Sequence, residues 1–215
     1  APTEAPATEA TEAPTETTEA PTEPPVVYRN PLNGEVLDEP YTGRIFAVTI
    51  SNIRDALPHY GTMEADILME MWVNGSIIRD LALYTDVSKA EAIGSVRSDR
   101  LMFNQIVKMY DAVLADAAGS DQVLNDAKNT GVNRMTIDTG DSTDYSYRAK
   151  DRVFTFKPES KYEHTLFAKG AGLLDFAQKK GFSVTQPADK DYNLHFTEDG
   201  TPEGETANSV NVTFT

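Results

Sequence analysis

The chain has 215 residues, 40% of them hydrophobic, no cysteine, and a formal net charge of −15. The missing cysteine excludes disulfides, thiolate chemistry and Cys-ligated zinc, and the acidic balance repels a phosphate backbone or an anionic membrane surface, so nucleic acid is not an expected partner. No apolar run approaches the length of a membrane span.

Residues 1–25 repeat a loose Ala-Pro-Thr-Glu theme, with six glutamates, no Lys or Arg, and no aromatic or large aliphatic side chain. With so little apolar surface to bury, the segment cannot offset the entropy of ordering and is expected to be disordered. Proline and like-charge repulsion keep it extended, which suits a stalk or spacer. Taking its six charges from −15 leaves −9 on the remainder. Residues 26–43 are turn-rich, with Asn33-Gly34 as one turn signal. Residues 44–51, RIFAVTIS, form a near-continuous apolar run of the kind found in a buried strand. Residues 52–61 read as loop. Residues 66–73 and 76–85 flank Asn74-Gly75, the preferred pair for a two-residue hairpin turn. That register opposes Val73 to Ser76 and sets Glu70 across from Arg79 on one face.

Residues 90–100 connect to a helix predicted over 99–110. Residues 111–117 read as a buried strand, 121–129 as a short helix stopped near Gly131, and 132–137 as a further strand. The polar stretch 138–152 reads as loop. Residues 164–180 are predicted helical, with Leu166, Phe167, Leu173, Leu174, Phe176 and Ala177 apolar and Gly181 as the stop. Beyond it, 192–197 and 209–214 look like strands. The expected fold class is α/β: a mixed sheet with helices packed on it, including the Asn-Gly hairpin, over residues 26–181. The start of a smaller, incomplete β-rich domain is expected over 182–215.

The string Gly94-Ser95-Val96-Arg97-Ser98-Asp99-Arg100 gathers two arginines and a serine at the expected start of a helix. Helix N-termini offer free N–H groups and partial positive charge, and arginines add paired donors, so the string suits a phosphate, carboxylate or sulfate. A plainer reading pairs Arg97 and Arg100 with nearby acids and makes Ser98 an N-cap. Glu70 with Arg79 is either a register-fixing ion pair or a carboxylate held at the edge of a cleft. His164, after Tyr162-Glu163, is a candidate acid/base or anion donor. A Ser98–His164 couple with Asp116 or Glu70 as third member can be written, but no nucleophile elbow accompanies it. His59 and His195 are too scattered to complete a metal-ligand pattern, and there is no P-loop or dinucleotide glycine motif. Neither a metal nor a cofactor is expected.

Several strings occur in a telling order: Asn30-Pro31-Leu32-Asn33-Gly34; Val48-Thr49-Ile50-Ser51-Asn52; Ala65-Asp66-Ile67 with Glu70, Gly75 and Arg79; and Ile93 through Arg100. Tyr110-Asp111-Ala112-Val113, Gly119-Ser120, Arg148, Arg152 and His164-Thr165-Leu166-Phe167 follow. In order and spacing these residues resemble the YerB-like lipoprotein family of Gram-positive bacteria, a domain family of unknown function. The chain departs from the family's usual residues at Ser95 (usually Pro), Asp116 (usually His), Ala118 (usually Gly) and Thr165 (usually Asn). The resemblance implies an α/β N-terminal domain, a smaller β-rich second domain, and a lipidated cysteine upstream of the stalk. It thereby implies an extracellular protein anchored to the outer face of the cytoplasmic membrane.

Three functional expectations result. One is a binding module whose cleft is lined by Arg79, Arg97, Ser98, Arg100, Arg148, Arg152 and His164 and closed by Glu70. Its ligand would be an anionic wall glycopolymer or a peptidoglycan fragment. Another is a hydrolase or transferase acting on envelope glycans, with Glu70 and His164 as acid and base. The last is a scaffold that docks wall-synthesis proteins.

Overall fold

The computed structural model describes residues 26–151, 155, 162–187, 190–197, 207–209, 211 and 213. The stalk, Arg152 and much of the strand expected over 209–214 lie outside them. The described chain opens with an antiparallel ribbon of β1 (Tyr28–Arg29) and β2 (Val36–Leu37). Asn30 closes its turn. Its Oδ1 accepts from the Leu32 and Asn33 amides, while its Nδ2 donates to Asp66 and Thr85.

The next strand, β3 (Phe46–Ser51), is buried along its whole length. It is central in a five-stranded sheet ordered β4 (Ile67–Asn74), β5 (Ile77–Tyr84), β3, β7 (Val113–Asp116) and β8 (Asn133–Thr136). β3, β7 and β8 are mutually parallel, whereas β5 runs antiparallel to both β3 and β4. Parallel neighbours need crossovers. Helices α1 (Leu101–Met109), ahead of β7, and α2 (Asp121–Thr130), between β7 and β8, lie in those connections. Ser120 caps α2 by accepting from the Val123 amide.

Alternate positions on β3 serve two cores. Ala47, with Ile45 just before the strand, packs against Leu81, Leu83 and Leu114 and the α1 side chains Phe103 and Val107. Phe46, Val48 and Ile50 face the other way, toward Leu166, Ala168, Leu173 and Ala177. Those last four belong to a second layer. It consists of a three-stranded sheet, β6 (Ile93–Gly94), β10 (Leu166–Ala168) and β9 (Ser146–Arg148), and the helix α3 (Gly170–Lys179). Each large apolar side chain buried in these cores contributes about 1.5–3 kcal/mol. The continuous apolar run over 44–51 is therefore the signature of a strand covered on both faces, and the fold is α/β.

Four expectations need correction. The hairpin forms, but its turn is Gly75-Ser76, with Gly75 at φ 54°, and a bulge falls between Trp72 and Asn74. The register slips by one, so Glu70 faces Asp80 and Arg79 faces Met71. A one-residue slip sends side chains to opposite faces, and Glu70 and Arg79 part company. The helix expected over 164–180 begins only at Gly170, because Leu166–Ala168 is a buried strand laid between β6 and β9. The loop expected over 138–152 contains β9, whose ladder partner is Leu166–Ala168. Residues 192–197 form no ladder: Asn193 takes a positive φ of 56°, its amide donates to Asp191, and Tyr192 stacks on Tyr110.

The start of α3 is set by a backbone contact. A Cβ on Gly170 would lie 1.9 Å from the Val87 carbonyl oxygen and 2.4 Å from that of Ala90. Gly170→Ala should therefore lower unfolding free energy by about 2–3 kcal/mol in urea titrations. Ala171→Ser, at an exposed neighbour, should stay within about 0.5 kcal/mol.

Candidate functional site

The candidate site grows out of one irregular stretch. Residues 95–99 insert their backbone between the carboxyl ends of the parallel neighbours β3 and β7. On one side the Ser51 amide donates to Ser95 O at 2.9 Å and the Arg97 amide to Thr49 O at 3.0 Å. On the other, the Ala117 amide donates to Arg97 O at 3.0 Å and the Asp99 amide to Ala118 O at 2.7 Å. The Thr49 hydroxyl adds a further bond to Arg97 O, and the Val96 amide reaches across to Leu166 O at 2.8 Å. The insertion binds both sheets together and presents Arg97, Ser98 and Arg100 at the carboxyl edge. In open α/β sheets ligands gather at that edge.

Arg79 joins them from β5, since its Cα partner is Ser51 at the end of β3. Its Nη1 donates to Ser98 O at 2.5 Å. Arg100 donates from Nη1 to the same carbonyl at 3.4 Å and to Asp99 O at 2.7 Å. Arg100 holds the N-cap position of α1 without a side-chain cap bond, so Ser98 does not act as the cap. The guanidinium groups feel one another. Burial, then Arg100 and Arg97, push Arg79 down to about 10, with Asp99 opposing. Arg100 is lowered by burial and by Arg97.

Arg97 also reaches the second layer, donating to Glu163 O at 2.8 Å. Arg148 on β9 donates to Tyr162 O at 2.7 Å, pairs with Asp138 and lies 3.9 Å over the Tyr162 ring. These residues, with Val96, Ser98, Ala117, Ala118 and Leu166, line a cavity of about 180 Å³. His164 lies beside it, buried, with Nε2 3.3 Å from the Glu163 carboxylate and its carbonyl accepting from Ser95 Oγ at 2.6 Å. The structure thus brings Arg79, Arg97, Ser98, Arg100 and Arg148 to one region, next to His164. Arg152 lies outside the described residues.

Glu70 is elsewhere. It shares Asn52 Nδ2 with Asp80, at 2.6 and 3.0 Å, on the face opposite Arg79, with His59 Nδ1 3.9 Å from Asp80. Burial raises the Asp80 carboxyl, with the His59 charge and the Asn52 bond opposing it. Asp116 is fully buried and held by Arg134, not by His164. Among the described residues no group of three or more His, Asp or Glu is placed to hold a metal ion.

Sequence reasoning missed the layer beneath the arginines. Arg134 of β8 pairs with Asp116 and sits 3.7 Å from Asp99. Burial pushes Asp116 up to about 8 and Asp99 up to about 6, in both cases against the pull of Arg134. The available signal was an aspartate closing the apolar run Val113–Asp116; its partner depends on the β7–β8 pairing.

Residues 32–183, which span every described residue of this site, match the family described as "Protein of unknown function (DUF3048) N-terminal domain". The chain belongs to that family. It is 27% identical over 182 residues, 83% of its length, to "Putative lipoprotein YerB" of Bacillus subtilis (strain 168), and spans 50% of that protein. The crystal structure of the YerB protein from Bacillus subtilis superposes with a TM-score of 0.65 at 24% identity, covering 74% of this chain and 51% of that one. The YerB-like chain thus spans about half the length of the relatives it matches. Among its described residues, no helix is long and apolar enough to cross a membrane.

The Asp99–Arg134–Asp116 group carries a pH signature. An acid whose folded pKa exceeds its unfolded value of about 4 stabilises the fold fully below that value. The contribution is lost as pH rises through the folded value. Thermal unfolding midpoints should therefore fall between pH 4 and 8. Asp116→Asn should flatten the fall across the whole window, and Asp99→Asn its lower part, between pH 4 and 6.

Proposed function

We propose that this YerB-like chain is a binding module of the cell envelope that receives an anionic group at the arginine cluster. The observation that carries this reading is the convergence of Arg79 and Arg100 on Ser98 O at the start of α1, with Arg97 close enough to lower both, in a chain of net charge −15. Like charges crowded out of water raise one another's free energy, and an arriving anion relieves that cost. The α1 N-terminus adds its partial positive charge to the same place. A carboxylate or phosphate of an envelope glycan or peptidoglycan fragment has the matching charge.

The lipoprotein name of the relative and the acidic Pro/Thr/Glu stalk support a location on the outer face of the cytoplasmic membrane, held by a lipid anchor. The hydrolase reading gains no geometric support. Glu70 keeps company with Asn52 and Asp80, and His164 with Glu163 and Ser95.

The test is sulfate titration followed by amide chemical shifts. Arg97→Ala and Arg100→Ala should each weaken binding about tenfold or more, because a charge-assisted bond is worth about 1.5–3 kcal/mol. Their melting temperatures should stay near that of the parent, since both side chains are part-exposed. Arg79→Ala should instead unfold more readily, because Arg79 is buried. Unfolding of the Arg97 and Arg100 variants, in place of lost binding, would assign both residues to structure.

A further inference from the structure

The cavity behind Arg97 is not uniformly basic. Asp138 and Glu163 line it together with Arg97 and Arg148. A cluster built only for a phosphate polymer would keep carboxylates away from the ligand, since like charges in a partly dry site repel strongly. Here two acids and two arginines share about 180 Å³, room for roughly six waters.

The two arginines have different duties. Arg148 is committed at both terminal nitrogens: one donates to Tyr162 O and the other pairs with Asp138, and its plane covers the Tyr162 ring. It braces the wall. Arg97 donates one hydrogen bond among the described residues, from Nη1 to Glu163 O, and a guanidinium has five donors to offer. Asp138 receives Arg148 on Oδ2 and the Gly140 amide on Oδ1 at 3.3 Å, which leaves acceptor capacity on both oxygens. The Glu163 carboxylate is half-exposed, with Oε1 turned toward His164. Ser98 and Tyr162 complete the polar part of the lining, and Val96, Ala117, Ala118 and Leu166 form a short apolar wall.

We infer that the cavity takes a free α-amino acid with a short aliphatic side chain, its carboxylate on Arg97, its ammonium against Asp138 and Glu163, and its side chain against Val96, Ala117 and Leu166. The inference rests on the anion reading above and narrows it from an anion to a zwitterion. The mixed lining offers a partner to both charges of such a ligand within one cavity, whereas a bare anion meets the two acids and a bare cation meets the arginine.

The experiment is calorimetric titration of the full chain with D- and L-alanine, the corresponding N-acetylalanines and alaninamides, and inorganic phosphate, at one ionic strength. At least one alanine enantiomer should bind tenfold or more tightly than its N-acetyl and amide derivatives and than phosphate. Glu163→Gln and Asp138→Asn should each weaken alanine binding severalfold while leaving phosphate binding no weaker, because each removes a charge that repels the anion. Should Asp138→Asn fail to fold, Glu163→Gln alone carries that arm. Binding of N-acetylalanine or phosphate as tight as that of alanine overturns the zwitterion and leaves the anion reading standing. So does alanine binding unchanged in every folded variant. No binding of any probe by the folded parent overturns both.

Discussion

The backbone wedge of residues 95–99 between β3 and β7 is the constraint on which the rest of this molecule turns. Two parallel strands that diverge expose amides and carbonyls that must find partners. Here Thr49, Ser51, Ala117 and Ala118 find them on the inserted stretch. The same stretch bonds to Leu166 of the second sheet, so one irregular segment joins both layers. It also leads directly into α1. Charged side chains on it are consequently held at a sheet edge and a helix start at once, by a scaffold with little freedom to relax.

Burial and charge are in tension throughout that scaffold. Arg79 is buried and close to two other guanidinium groups. Below it, Asp99 and Asp116 are fully buried and share Arg134. Removing charges from water costs several kcal/mol per ion unless partners are well placed, and burial drives both carboxyls toward their neutral forms. An excess of positive charge therefore faces the edge while the compensating acids lie beneath it. The protein keeps this arrangement although a layer of apolar residues would pack at less cost, and the proposed anion-receiving role is one that would use it.

The parts of the fold legible in sequence are those set by local pattern. The apolar run of β3, the strand–helix–strand from Val113 to Thr136 and the stop at Gly181 depend on periodicity, capping and glycine placement. The errors have a common physical origin. Leu166, Phe167 and Ala168 suit a helix face or a buried strand equally well, and only the neighbours β6 and β9 decide between them. The Asn-Gly pair marks a hairpin, but the bulge at Trp72–Asn74 moves the register by one and takes Glu70 away from Arg79. At the site, the Gly-x-Val-Arg-Ser-x-Arg string was visible because arginines are scarce in so acidic a chain. Arg134, Asp138 and Glu163 were not, because each acquires meaning only through a neighbour distant in sequence.

From its sequence alone this chain was an acidic α/β protein with a Pro/Thr/Glu stalk, YerB-like strings and an arginine-rich turn before a helix. Composition, hydrophobic period and turn chemistry are local properties, and they suffice for that much. Which arginines meet, which face Glu70 occupies and which acids share the cavity were decided by the tertiary structure. Strand register and the wedge between β3 and β7 are set by long-range backbone pairing, and one residue of slip is enough to move a charge from one side of the sheet to the other.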